Sequence, residues 1–142
     1  MSRKIYQFLF RVFIRHLPEG WGKKRTSFVC KYAKFVGENV NIGRKCVIHK
    51  NTEIGNNSGV GYACEINNGV HIGNNVMMGP NVLIYTQNHR TDRTDIPMRE
   101  QGMREIEPAR IEDDVWIGAR VCILPGGNNW SWGSCWCMHC GG

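Results

Sequence analysis

At 142 residues the chain has the size of one domain, and its 18 Lys and Arg against 12 Asp and Glu leave a formal charge of +6, a modest excess that suits either a solvated surface or a phosphate-bearing partner. No apolar run reaches the roughly 18 residues of a membrane span, and no small-residue cleavage site follows the apolar N-terminal stretch, so the expected location is the cytoplasm. Seven cysteines do not make a disulfide framework. Cys30, Cys46, Cys64 and Cys122 are scattered singly, three of them where a repeat asks for small residues, and reduced core thiols fit better.

Residues 3–17 read as a helix. Ile5, Tyr6, Phe8, Leu9, Phe10, Val12, Phe13, Ile14 and Leu17 are apolar, while Gln7, Arg11 and Arg15 fall on one polar stripe. Pro18 and Gly20 stop it. Two readings stand: residues 1–36 form a helical cap on the open end of a repeat region that begins near Val40, or the helix and the basic cluster Lys23-Lys24-Arg25 dock on an anionic membrane. The apolar residues between Phe28 and Phe35 predict a second short helix leading into Val40.

From Ile42 an aliphatic residue recurs every six positions: Ile42, Ile48, Ile54, Val60, Ile66, Ile72, Met78 and Ile84. A period of six fits neither a helix at 3.6 nor a strand at 2, so the unit is a repeat. Each unit makes one short strand and one turn, and three units close a triangular coil whose aliphatic residues stack in a column. The result is an all-β solenoid, stabilised by stacking because a lone coil cannot bury its column. Asn56-Asn57, Asn67-Asn68-Gly69 and Asn74-Asn75 mark corners where positive φ is needed. Glu65 and Asn67 flank the inward Ile66 and therefore point outward, toward a cleft one coil below His89.

After Ile84 the phase breaks. Ile111, Ile117 and Ile123 resume it, but Ile111 lies 27 residues beyond Ile84, not a multiple of six. A charged segment of about 86–110 is therefore extruded, stiffened by Pro97 and Pro108, and long loops of this kind are usually functional. His89 stands where the coil ends and the loop begins.

Eight in-phase hexads, the turn Ile84-Tyr85-Thr86-Gln87-Asn88-His89 and the later Val115-Trp116-Ile117-Gly118 together resemble the hexapeptide-repeat acyltransferases, in particular their sugar O-acetyltransferase branch. The resemblance covers roughly residues 35–127 and implies a left-handed parallel β-helix over 37–127; the hand comes from the family, since parallel crossovers are otherwise right-handed. It further implies a homotrimer that transfers an acetyl group from acetyl-CoA to a sugar or glycan hydroxyl, with His89 as general base and backbone N–H groups holding the oxyanion. Glu65, Asn67 and Asn88 are the expected acceptor-binding residues, and Glu65 is also a candidate to orient the His89 ring. Trp116, Gly118 and Ala119 match the position where the pantetheine arm lies. No nucleic acid partner and no metal are expected. Two rivals remain: a zinc enzyme resembling the γ-class carbonic anhydrases, for which only His71 and His89 offer ligands, and a non-catalytic scaffold.

Residues 128–142 do not continue the repeat. Trp130, Trp132 and Trp136 each carry the single codon TGG, so reading one base later turns each into glycine and yields a hexad-like series. The tail is therefore expected to be an out-of-frame translation of further coils, which would leave the chain truncated and impaired as an enzyme. Crowded Cys135, Cys137, His139 and Cys140 lack the separated second pair of a zinc cluster.

Overall fold

The computed structural model describes residues 1–125 and the backbone of strand Gly133–Cys135. The out-of-frame tail expected over 128–142 lies outside the described residues apart from that strand.

Among the described residues thirteen strands, most of two residues, wind into three parallel sheets. The first sheet contains β1 (Phe35–Val36), β4 (Glu53–Ile54), β7 (Val70–Ile72) and β10 (Ala109–Ile111). The second contains β2 (Asn41–Ile42), β5 (Gly59–Val60), β8 (Met77–Met78), β11 (Val115–Ile117) and β13 (Gly133–Cys135). The third contains β3 (Val47–Ile48), β6 (Glu65–Ile66), β9 (Leu83–Ile84) and β12 (Cys122–Ile123). Ile48 sits under Ile66 and Ile66 under Ile84, and Ile54 under Ile72. Every Ile of the column is at most 1% exposed, each contributing about 2 kcal/mol by leaving water. Two residues before each lies a second buried ring of small side chains, among them Cys46, Thr52, Ser58, Cys64, Val70 and Val76. Here Ser58 Oγ donates to Gly73 O (2.7 Å) and accepts from Val76 N (3.1 Å), so its buried hydroxyl is satisfied.

Glycines and asparagines divide the corner work. A Cβ on Gly43 would lie 2.6 Å from the Gly61 carbonyl, so this glycine is required by close backbone stacking rather than by φ. Positive φ falls instead two residues later, at Asn39, Asn57, Asn75 and Asp114 on one corner and Lys45, Ala63, Asn81 and Arg120 on the next. The side chains of Asn39, Asn57 and Asn75 form a hydrogen-bonded ladder between coils (3.1 and 3.3 Å).

The N-terminal helices differ from expectation in their bounds. α1 spans Arg3–Val12 and gives way to a 3-10 turn at Ile14–His16. α2 spans Gly22–Cys30, so the helix expected over 28–35 ends early: Tyr32 and Ala33 turn into the core, and Lys34 N already bonds to Thr52 O (3.0 Å) as extended chain. Arg25 also departs from the surface cluster in which its neighbours placed it. It is 1% exposed and donates to the carbonyls of Ile42 (2.8 Å), Leu17 (2.9 Å) and Pro18 (2.8 Å). The first coil has no coil beneath it, and this guanidinium satisfies the Ile42 carbonyl at its open edge while tying it to the carbonyls of Leu17 and Pro18 in the N-terminal segment.

Candidate active site

The site is assembled by register. Residues just after the inward Ile of the third sheet stack one per coil, because His49 N bonds to Ile66 O (3.1 Å), Asn67 N to Ile84 O (3.1 Å) and Tyr85 N to Ile123 O (2.9 Å). The column His49, Asn67, Tyr85, Leu124 thus lines a cleft of about 490 Å³ together with Asn88 and His89 and with Met103 and Ile106 of the extruded loop.

The loop is not free chain. Ile111 pairs with Ile72 at a separation of 39 residues where the regular coil uses 18, and the excess folds back on its own base. Arg90 N bonds to Gly102 O (3.0 Å), Arg104 N to Asn88 O (2.8 Å) and Glu107 N to Thr86 O (2.8 Å), an antiparallel ladder centred on a bridge between His89 and Met103. Thr86 is buried and its hydroxyl donates to Asn68 O (2.6 Å). Farther out, Gln101 braces the tip, accepting from Arg93 N (3.0 Å) and donating to Arg93 O (2.7 Å). Asp92 pairs with Arg90 (3.2 Å) and Arg104 (2.8 Å). Such exposed pairs add little each; the backbone ladder is what fixes His89.

His89 faces a second cleft as well, about 530 Å³, lined by Asn88, Thr91, Met98, Arg104, Glu107 and Pro125. His89 therefore lines both cavities. The carboxylate that shares a cavity with it is Glu107. Glu65 is not among the lining residues of either cleft; it lies beside that column, where its charge, second to burial, raises the Tyr85 hydroxyl. The His49 imidazole is held below its usual value, first by burial and next by the Arg11 guanidinium, against the opposing pull of Glu65.

Of the expected acceptor residues, Asn67 and Asn88 thus meet His89 in one cleft. Trp116, Gly118 and Ala119 do not. Trp116 lies on β11 in the second sheet, 40% exposed and in register with Met77, and Gly118 and Ala119 form the corner that follows. Backbone stacks on backbone there: a Cβ on Gly79 would come within 2.8 Å of Ala119 N. The edge presents nothing larger than a methyl at 118 and 119, which fits a thin extended ligand arm. His49 carries no motif in the sequence and Tyr85 has no role of its own in the turn 84–89, although both stand one residue after an Ile of the column, in phase with Asn67. Among the described residues no three His, Cys, Asp or Glu side chains gather to hold a metal, and His71 Nδ1 instead meets Glu53 Oε2 at 3.3 Å on the first sheet.

A three-sheet β-helix of hexads, broken by one extruded loop with a histidine at its base, is the architecture of solved hexapeptide-repeat acetyltransferases. No family model matches the chain. It is 33% identical over 95 residues to the galactoside O-acetyltransferase of Lactococcus lactis, a match covering 67% of the chain and 40% of that protein. A solved maltose O-acetyltransferase from Clostridium difficile 630 superposes with a TM-score of 0.69 at 32% identity, covering 89% of the chain and 66% of that structure. A galactoside acetyltransferase solved with coenzyme A shares the fold at 24% identity and a TM-score of 0.58, covering 89% and 62% respectively. By sequence and fold the chain belongs to the hexapeptide-repeat acetyltransferases, with their left-handed β-helix. It spans less than half the length of the curated relatives it matches.

Proposed function

We propose that the chain is an acetyl-CoA-dependent O-acetyltransferase acting on a hydroxyl of a sugar or glycan. The observation that carries this reading is His89, held by the His89–Met103 bridge where it lines two clefts. His89 acts as general base: its imidazole takes the proton of the acceptor hydroxyl, the oxygen forms its bond to the acetyl carbonyl carbon, and as the carbon–sulfur bond breaks the leaving thiolate takes that proton from the imidazolium, releasing the coenzyme thiol and restoring the base. Asn67 and Asn88 offer the amide donors and acceptors that a polyhydroxylated ligand needs, and Glu65 adds charge beside the column that lines the cleft.

Trp116, Gly118 and Ala119 are assigned to the pantetheine arm: the indole lies along it, Gly118 admits it to the backbone, and the Ala119 N–H bonds to it. One chain places this edge on the second sheet and His89 beyond the third. In this reading the two halves come together between neighbouring subunits of a homotrimer. The division into a helical cap over 1–36, a β-helix over 37–127 and an out-of-frame tail belongs to the same reading, as does a cytoplasmic location.

The test is release of coenzyme thiol from acetyl-CoA against a panel of sugars, on this chain and on a version whose tail is restored to the hexad frame. Sugar-dependent release in either supports the reading. Release in neither above uncatalysed thioester hydrolysis overturns it.

A further inference from the structure

α1 carries two apolar stripes. Tyr6 and Phe10 face inward onto Phe28 and Tyr32, with ring centroids 6.1 and 5.8 Å apart. Ile5, Phe8 and Val12, at i, i+3 and i+7, face outward and are continued by Phe13; they are 46%, 62%, 43% and 61% exposed. Scattered surface apolar residues are ordinary, but a contiguous helical stripe of this size marks a docking face. Alongside it run Lys4 and Arg11, seven residues apart and both exposed.

Charge selects the occupant. α1 contains no acidic residue. Over residues 1–31 the exposed cations are Arg3, Lys4, Arg11, Lys23, Lys24 and Lys31, and Glu19 is the sole acidic residue. Trp21, 44% exposed, sits under Lys24 Nζ at 3.7 Å, an indole and ammonium pair suited to a boundary between apolar and wet surroundings. A second copy of the same face would set cation against cation, whereas an anionic surface neutralises them.

We propose that this face docks on an anionic membrane surface, α1 lying in the interface plane with Phe8 and Val12 against the acyl boundary and Lys4 and Arg11 on lipid phosphates. The contact is peripheral, since among the described residues no helix is long and apolar enough to cross a membrane. It stands independently of acetyl transfer.

The experiment is co-sedimentation of the full chain with vesicles of phosphatidylcholine alone and of phosphatidylcholine with phosphatidylglycerol, at low and high salt. Pelleting is expected with the anionic vesicles only, weakening as salt rises. Phe8→Ser/Val12→Ser and Lys4→Glu/Arg11→Glu should each weaken it by about tenfold or more while leaving the circular-dichroism melt unchanged, because all four side chains are exposed. No pelleting with anionic vesicles at low salt overturns the proposal, as does pelleting that both variants retain. Self-association that Phe8→Ser/Val12→Ser abolishes, without vesicle binding, assigns the face to a second copy and overturns it equally.

Discussion

The backbone of His89 is bridged antiparallel to Met103, and the next bond outward joins Arg90 N to the carbonyl of Gly102. Gly102 has φ +77 and open space where a Cβ would go, so a side chain there meets no clash but strains the backbone. Gly102→Val is expected to loosen the ladder and lower kcat/KM for acetyl transfer by about tenfold through misplacement of His89. The melting temperature should hardly move, because the column of Ile is untouched. Steady-state kinetics alongside a thermal melt check both halves of this expectation.

Two glycines separate stacking from flexibility. A Cβ on Gly43 lies 2.6 Å from the Gly61 carbonyl, while one on Gly59 meets nothing within 4 Å. Gly43→Ala should destabilise by about 3 kcal/mol or prevent folding, as overpacking of backbone does. Gly59→Ala should be neutral within about 0.5 kcal/mol. Urea unfolding of the pair gives the comparison.

Ala63 holds φ 53 at a corner where its neighbours one coil away are Lys45 and Asn81, both also at positive φ. A non-glycine residue there carries about 1 kcal/mol of strain, which asparagine relieves. Ala63→Asn is expected to stabilise by about 0.5 to 1 kcal/mol, read as a shift of the urea midpoint at constant slope.

His49 gives the stability a sign in pH. Its folded value lies below the unfolded one, chiefly through burial, so the unfolded chain binds the proton more readily. The contribution is fully present above the unfolded value near 6.5 and is lost as pH falls through the folded value. The difference in unfolding free energy between the native chain and His49→Gln should therefore shrink on going from pH 7.5 toward pH 5. A difference that grows on acidification would contradict the assignment.

Much of the architecture is written in one phase. The spacing of Ile42, Ile48 and their successors specifies sheets, column and coil, and the break after Ile84 locates the loop and sets His89 at its base. What escapes the sequence is long-range. Nothing in the run Lys23-Lys24-Arg25 distinguishes the one cation that turns inward, because the carbonyls it meets at Ile42, Leu17 and Pro18 come together only when α2 packs on the first coil. The same holds for Met103 and Ile106, which reach the cleft through a fold-back whose register no repeat dictates. His49 and Tyr85 are legible in principle. They share the phase of Asn67, but a lone histidine or tyrosine on a strand edge announces no cleft until the coils are stacked.

The most direct measurement is the rate of acetyl transfer from acetyl-CoA to the best sugar of the panel by His89→Ala, in whichever form of the chain turns over. With His89 as general base, kcat should fall by about 10² to 10⁴-fold while the melting temperature stays within a few degrees, because His89 is exposed and outside the core. A folded His89→Ala protein that keeps its kcat would contradict the role assigned to His89.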